Sequence, residues 1–134
     1  MKVVLDSNIL VSGIFFGGIP GRILDLWAED RLDVYVTPAI LEEYLRVIEA
    51  MEPGKKPGFL QRYWRALLPK ICHFVPDTEP AGRISRDPSD DKFFLCARTA
   101  KARYLVTGDK DLKDLVTQEN FEIISPRQLI ERLI

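Results

Sequence analysis

The chain opens on a strand that cannot have a face in water. Val3-Val4-Leu5 is an unbroken apolar run that ends abruptly at Asp6-Ser7-Asn8, and a second apolar run follows from Ile9 to Phe16. A half-exposed strand alternates polar and apolar residues, so this run predicts a parallel strand covered on both faces. Ser7 or Asn8 can cap the following segment as a helix. Asp6 is thereby placed at the carboxyl end of a central strand, the edge at which open α/β sheets bind their ligands. The plainer alternative is an aspartate that only caps a strand-to-helix turn.

Further apolar runs recur in alternation with helical periods. Residues 9–16 read as a short buried helix stopped by Gly17-Gly18, and 20–31 as a second helix with Ile23, Leu26 and Trp27 on one face. Strands are expected at 33–36, 71–75, 104–107 and 121–124. Thr37-Pro38 starts a helix with a capping hydroxyl and a proline at the first helical position, and Ile40, Tyr44, Leu45 and Ile48 follow at helical spacing. Residues 52–58 read as a loop, 59–68 as a helix and 76–86 as a loop. Asp87-Pro88-Ser89-Asp90-Asp91 opens a helix running to about Lys101, with a short helix at 110–116 and a last one at 126–133. Strands alternating with helices imply a parallel sheet with helices on both faces, in one domain spanning residues 1–134.

Composition narrows the chemistry. With 46% hydrophobic and 29% charged residues over 134 positions, the chain has the balance of a globular protein with its own core. Cys72 and Cys96 both lie in apolar runs and read as reduced core residues of a cytoplasmic chain. One histidine, His73, and two buried thiols offer no zinc set, so His73 reads as structural. No run reaches membrane-spanning length, and Asp6-Ser7-Asn8 interrupts what would be a signal core. The net charge of −1 comes from 20 acidic against 19 basic residues, so gathering several acids into one site leaves the rest of the surface mildly basic. That contrast suits metal-assisted chemistry on a polyanion.

In a sheet of βαβ units each helix starts at the carboxyl edge of the strand before it. Asp6 ends the first strand, and Asp109 follows the fourth by two residues. Glu42 and Glu43 lie early in the helix after the second strand; Asp87, Asp90 and Asp91 lie at the start of the helix after the third. All point to one rim. Asp87 before Pro88 reads as a helix cap, with Asp90 completing a capping box. Asp91 shares a helix side with Phe94 and Leu95; Glu43 lies at the margin of the buried face, and periodicity alone does not decide it against Glu42. Carboxylates gathered at about 4 Å repel by roughly 4 kcal/mol per pair at an effective dielectric of about 20, so a cation or protons must hold such a cluster. Oxygen-only ligands select a hard ion, Mg²⁺ or Mn²⁺, in one or two copies. Phosphodiester hydrolysis is the chemistry this favours.

Four blocks in register carry a resemblance: Val3-Val4-Leu5-Asp6-Ser7-Asn8-Ile9-Leu10, Leu41-Glu42-Glu43-Tyr44-Leu45, Asp87-Pro88-Ser89-Asp90-Asp91-Lys92-Phe93 with Ala97, and Tyr104-Leu105-Val106-Thr107-Gly108-Asp109. The chain resembles a PIN domain (PilT N-terminal domain) of the VapC-like kind found as the toxin of type II toxin–antitoxin pairs. The resemblance implies a three-layer α/β/α fold with a five-stranded parallel sheet in the order 3-2-1-4-5. It implies a Mg²⁺- or Mn²⁺-dependent ribonuclease whose catalytic, metal-holding acids fall on Asp6, Glu43, Asp91 and Asp109. Ser7, Asn8, Thr107 and Asp90 become candidates to orient those acids. An RNA substrate makes Lys55, Lys56, Arg62, Arg65, Arg83, Arg86 and Lys92 candidate phosphate contacts. A cognate antitoxin and a homodimer are further implications, with Ile14, Phe15, Phe16 and Trp27 either a candidate apolar surface for the dimer or part of the core.

Two other classes compete. A phosphotransfer enzyme with Asp6 as nucleophile wants an aspartate where Asn8 stands and a lysine at the late strand end where Asp109 stands. Within the resemblance, a non-toxin nuclease of RNA processing, or a catalytically silent RNA-binding regulatory subunit, would keep the same fold; the silent form is expected to lose acids, and none is missing here.

Overall fold

The computed structural model describes residues 1–51, 58–79, 90–109 and 119–133. Its elements are β1 (Lys2–Leu5), α1 (Ser7–Phe15), α2 (Gly18–Ala28), β2 (Asp33–Val36), α3 (Pro38–Ala50), α4 (Phe59–Ile71), β3 (His73–Phe74), α5 (Asp91–Ala100), β4 (Tyr104–Val106), β5 (Glu122–Ile124) and α6 (Pro126–Leu133). The strands form one five-stranded parallel sheet in the order β3-β2-β1-β4-β5. This is the three-layer α/β architecture expected from the alternation of strands and helices.

β1 sits at the centre, pairing Val3 with Val34 on one side and Leu5 with Val106 on the other. Val3, Val4 and Leu5 are all wholly buried; because successive side chains point to opposite faces, both faces of the sheet are covered. α5 lies across β1, β2 and β4, and seven of its ten residues are buried, Phe93, Phe94 and Cys96 among them. α1 packs on α2 and α3, and α6 returns onto α2. Gly17 and Gly18 both take positive φ values (71° and 63°) and turn α1 into α2 at the point where side-chain residues would be strained. Thr37 caps α3 by accepting the Ile40 N–H at 3.2 Å, with Pro38 behind it in the first turn.

The boundary between α4 and β3 needs correction. The helix expected to end at Leu68 continues through Pro69 to Ile71, so β3 is only His73–Phe74 rather than 71–75. The proline falls in the last turn, where one lost hydrogen bond weighs little against the burial of Leu68 and Cys72. Of the two readings of the early apolar residues, core holds for Trp27: it is buried with its ring 6.2 Å from that of Trp64. Ile14 and Phe15 also pack on the core, whereas Phe16 is exposed. The loop expected at 52–58, the cap at Asp87 and the helix at 110–116 lie largely or wholly outside the described residues.

Cys72 and Cys96 are free thiols, both buried, and burial pushes each up to about 12. They are inert core residues, as their apolar flanks imply. Among the described residues no single helix is long and apolar enough to cross a membrane.

Candidate active site at the carboxyl edge of the sheet

Asp6 follows the last residue of β1, and its N–H continues the ladder by donating to the Val106 carbonyl at 3.0 Å. It occupies the N-cap position of α1, where a side-chain oxygen accepts the Asn8 N–H at 3.5 Å. A cap of that length holds little, and a simple cap is normally solvated. Asp6 is 7% exposed, and its other oxygen accepts a 2.7 Å bond from the Thr107 hydroxyl, itself wholly buried beyond the end of β4. Thr107 Oγ1 in turn accepts the Asp109 N–H at 3.0 Å. One hydroxyl therefore ties the carboxylate after β1 to the turn after β4. Asn8 is exposed and serves Asp6 through its backbone rather than its side chain.

Burial holds the Asp6 carboxyl above the ordinary carboxylate value. The hydrogen bonds from Thr107 and from the Asn8 N–H work the other way, and the charges of Glu43 and Asp109 add to the rise. Asp6, Glu43 and Asp109 thus sense one another across the rim, although they lie far apart in the chain.

Glu43 is reached from β2 through the first turns of α3. Its side chain is 17% exposed against 79% for Glu42, so the helix presents Glu43 inward and Glu42 to water. One Glu43 oxygen accepts the Ser7 hydroxyl, and the other meets the Lys92 ammonium at 2.6 Å, with Arg46 at 3.9 Å. The neighbouring Tyr44 is wholly buried and donates its hydroxyl to the Leu5 carbonyl, fixing α3 against the end of β1. Asp91 is 6% exposed in the first turn of α5, at the mouth of a hollow of about 310 Å³ that also includes Thr37, Asp77 and Lys92. Asp90 occupies the N-cap position of α5 in a helical conformation and makes no capping hydrogen bond there.

The four expected acids share this rim without closing on a single point. Among the described residues no three carboxylate, histidine or cysteine side chains stand close enough to grip one ion. Asp6 and Glu43 are held by separate donors and cations of the chain itself. In chemistry the set still fits a hard divalent cation, since every donor is an oxygen and Asp6 and Asp91 are nearly dry. His73 is not part of it. It begins β3 at the opposite edge, stacked on Tyr35 with ring centroids 5.0 Å apart.

The basic candidates separate. Lys92 belongs to the acid site through Glu43. Arg65 pairs with Glu49 near the far end of α3, away from the rim. Arg62 lies one turn earlier on α4, and Lys55, Lys56, Arg83 and Arg86 fall outside the described residues. Sequence reasoning missed the Lys92–Glu43 pair: the sign of each charge was legible, but not that α3 and α5 bring them together.

A family model described as a PIN domain matches residues 2–111. The uncharacterized protein MJ1680 of Methanocaldococcus jannaschii is similar to this chain, 30% identical over an alignment of 141 positions that covers 98% of this chain and 90% of that one. Among solved structures, the fold is similar to that of a chain in the crystal structure of VapBC2 from Rickettsia felis bound to a DNA fragment from their promoter. The TM-score is 0.61 at 14% identity, over 93% of this chain and 98% of that chain.

Proposed function

The chain belongs to the PIN domain family, and on that premise we propose that it is a Mg²⁺- or Mn²⁺-dependent endoribonuclease acting through Asp6, Glu43, Asp91 and Asp109. The observation that carries this reading is Asp6 itself, a desolvated carboxylate that burial and two neighbouring carboxylates push upward, held in place by Thr107. A protein keeps so unfavourable a charge where a cation or a substrate repays it. Bound at these acids, the ion supplies charge neutralisation for the phosphodiester and an activated water. The chain's own part is orientation. Thr107 fixes one oxygen of Asp6, Ser7 fixes one of Glu43, and burial of the first turn of α5 fixes Asp91.

Purified protein is expected to cleave labelled single-stranded or structured RNA with millimolar Mn²⁺ or Mg²⁺, and to stop on chelation. Cleavage that persists in chelator overturns the metal-dependent assignment. Tight RNA binding with no turnover in either ion supports the silent regulatory subunit instead. The phosphotransfer reading predicts a phosphoaspartate at Asp6, which mass spectrometry after mild trapping detects.

Thr107→Val tests the orienting role. It keeps the β-branched shape that suits a strand end but removes the bond to Asp6 and the acceptor for the Asp109 N–H. Mn²⁺ affinity is expected to fall by about 10- to 100-fold with the fold intact; unchanged affinity by calorimetry removes Thr107 from the site.

The likeness to VapBC2 supports a toxin role with an antitoxin partner, while a nuclease of RNA processing uses the same site. Growth arrest on induction, relieved by co-expression of an adjacent small open reading frame, decides for the toxin; vigorous growth of cells making active enzyme decides for the other.

A further inference from the structure

Glu43 is engaged by groups of its own chain. Both of its oxygens have a partner from this chain, the Ser7 hydroxyl on one and the Lys92 ammonium at 2.6 Å on the other. The ion pair is not an ordinary surface contact. The Lys92 and Glu43 side chains are 21% and 17% exposed, whereas Arg46, also near Glu43, is 64% exposed and stands off at 3.9 Å from both Glu42 and Glu43. Charges this far out of water hold their partners more firmly than exposed ones, because neither can be re-solvated cheaply. The ammonium and a divalent ion compete for the same oxygen, because they carry like charge and each draws on its electron density. Lys92 also has somewhere to go. It lines the hollow of about 310 Å³ with Thr37, Asp77 and Asp91, and its four-carbon stem is flexible.

We propose that Lys92 is a built-in counter-ion of the acid site: it occupies Glu43 while the site holds no divalent ion, is displaced when one binds, and so sets the affinity of the site for its metal. The inference rests on the metal-dependent reading above and extends it to a residue that holds no metal.

The test is Mn²⁺ binding to the full chain, followed by calorimetry and by the loss of the free Mn²⁺ electron paramagnetic signal. Lys92→Met, which keeps the stem and removes the charge, is expected to bind Mn²⁺ about tenfold more tightly than wild type. A lysine with a merely structural role would leave affinity unchanged or weaken it. Lys92→Arg, which retains the cation, is expected to stay near wild type, and so is Arg46→Met. In a Glu43→Gln background the gain from Lys92→Met should vanish, because the two residues act through one contact. Without ion, Lys92→Met should melt below wild type, and saturating Mn²⁺ should close the gap. If Lys92→Met folds poorly by circular dichroism, Lys92→Gln carries the same comparison. Equal or weaker Mn²⁺ binding by a folded, charge-free variant overturns the inference and leaves the nuclease reading standing. Failure of wild type and variant alike to bind millimolar Mn²⁺ overturns both.

Discussion

Asp6→Asn is expected to lower RNA cleavage by roughly a thousandfold or more, and to do so in a protein at least as stable as wild type when no metal is present. The size follows from removing one charged ligand from an ion that supplies several kcal/mol of charge stabilisation, each 1.4 kcal/mol being about tenfold in rate. The unchanged fold follows from geometry: asparagine keeps an acceptor oxygen for the Thr107 hydroxyl and the same size. Stability carries a sign that can be checked. Burial, the largest influence, raises the folded Asp6 above its ordinary value of 3.8, so folding favours the protonated form. The corresponding stability is present in full below 3.8 and is lost as pH rises through the folded value. Above the folded value wild type has lost it, and the asparagine variant has nothing to lose. Thermal melts should therefore place the variant increasingly above wild type as pH rises above the ordinary value of 3.8, with the difference vanishing below it. Saturating Mn²⁺ should reverse the order, because ligation stabilises only the protein that binds it. Retained turnover sinks the catalytic assignment. A variant that melts lower at alkaline pH in chelator means that Thr107 and the Asn8 N–H outweigh burial.

The strand ends were legible because their apolar runs are short and end on acids. β1, β2 and α6 have the boundaries that the residues imply, and Thr37-Pro38 starts α3 as its pattern requires. β3 was misplaced because Ile71-Cys72 continues an apolar run on both sides, and local pattern cannot tell the last turn of a buried helix from the first residues of an edge strand. Packing of Leu68 and Cys72 decides it, and packing is not local. The same limit applies at the rim. Chain direction alone puts Asp6, Glu43, Asp91 and Asp109 along one edge, but it does not say what each acid touches. Ser7 is adjacent to Asp6 in sequence and yet gives its hydroxyl to Glu43. Lys92 looks like one more basic residue for RNA and is instead committed to an acid 49 positions away in the chain. Such pairings depend on how α1, α3 and α5 converge above the sheet.

Phe93→Ala is expected to be the most damaging of the core changes beside the site, because it acts where fold and chemistry meet. Phe93 is 1% exposed and belongs to the core cluster with β1 and β4; the Lys92 ammonium lies 5.5 Å from the centre of its ring. Truncation leaves a cavity that this part of the sheet can fill only by moving α5, which costs about 3–5 kcal/mol. For a domain of this length that corresponds to a fall in melting temperature of roughly 10–20 °C. A loss below about 1 kcal/mol in chemical denaturation would mean that α5 does not press on the sheet as its burial indicates. The functional consequence is separable from unfolding. Asp91 and Lys92 immediately precede Phe93, so a displaced α5 changes the approach of a carboxylate and of the ammonium on Glu43 together. Measured well below its melting temperature, the variant should bind Mn²⁺ more weakly than wild type, the opposite direction to Lys92→Met. A Phe93→Ala protein that is folded, destabilised and unaltered in Mn²⁺ affinity would show that the first turn of α5 keeps its place without the ring behind it; Asp91 would then owe its position to contacts other than the core.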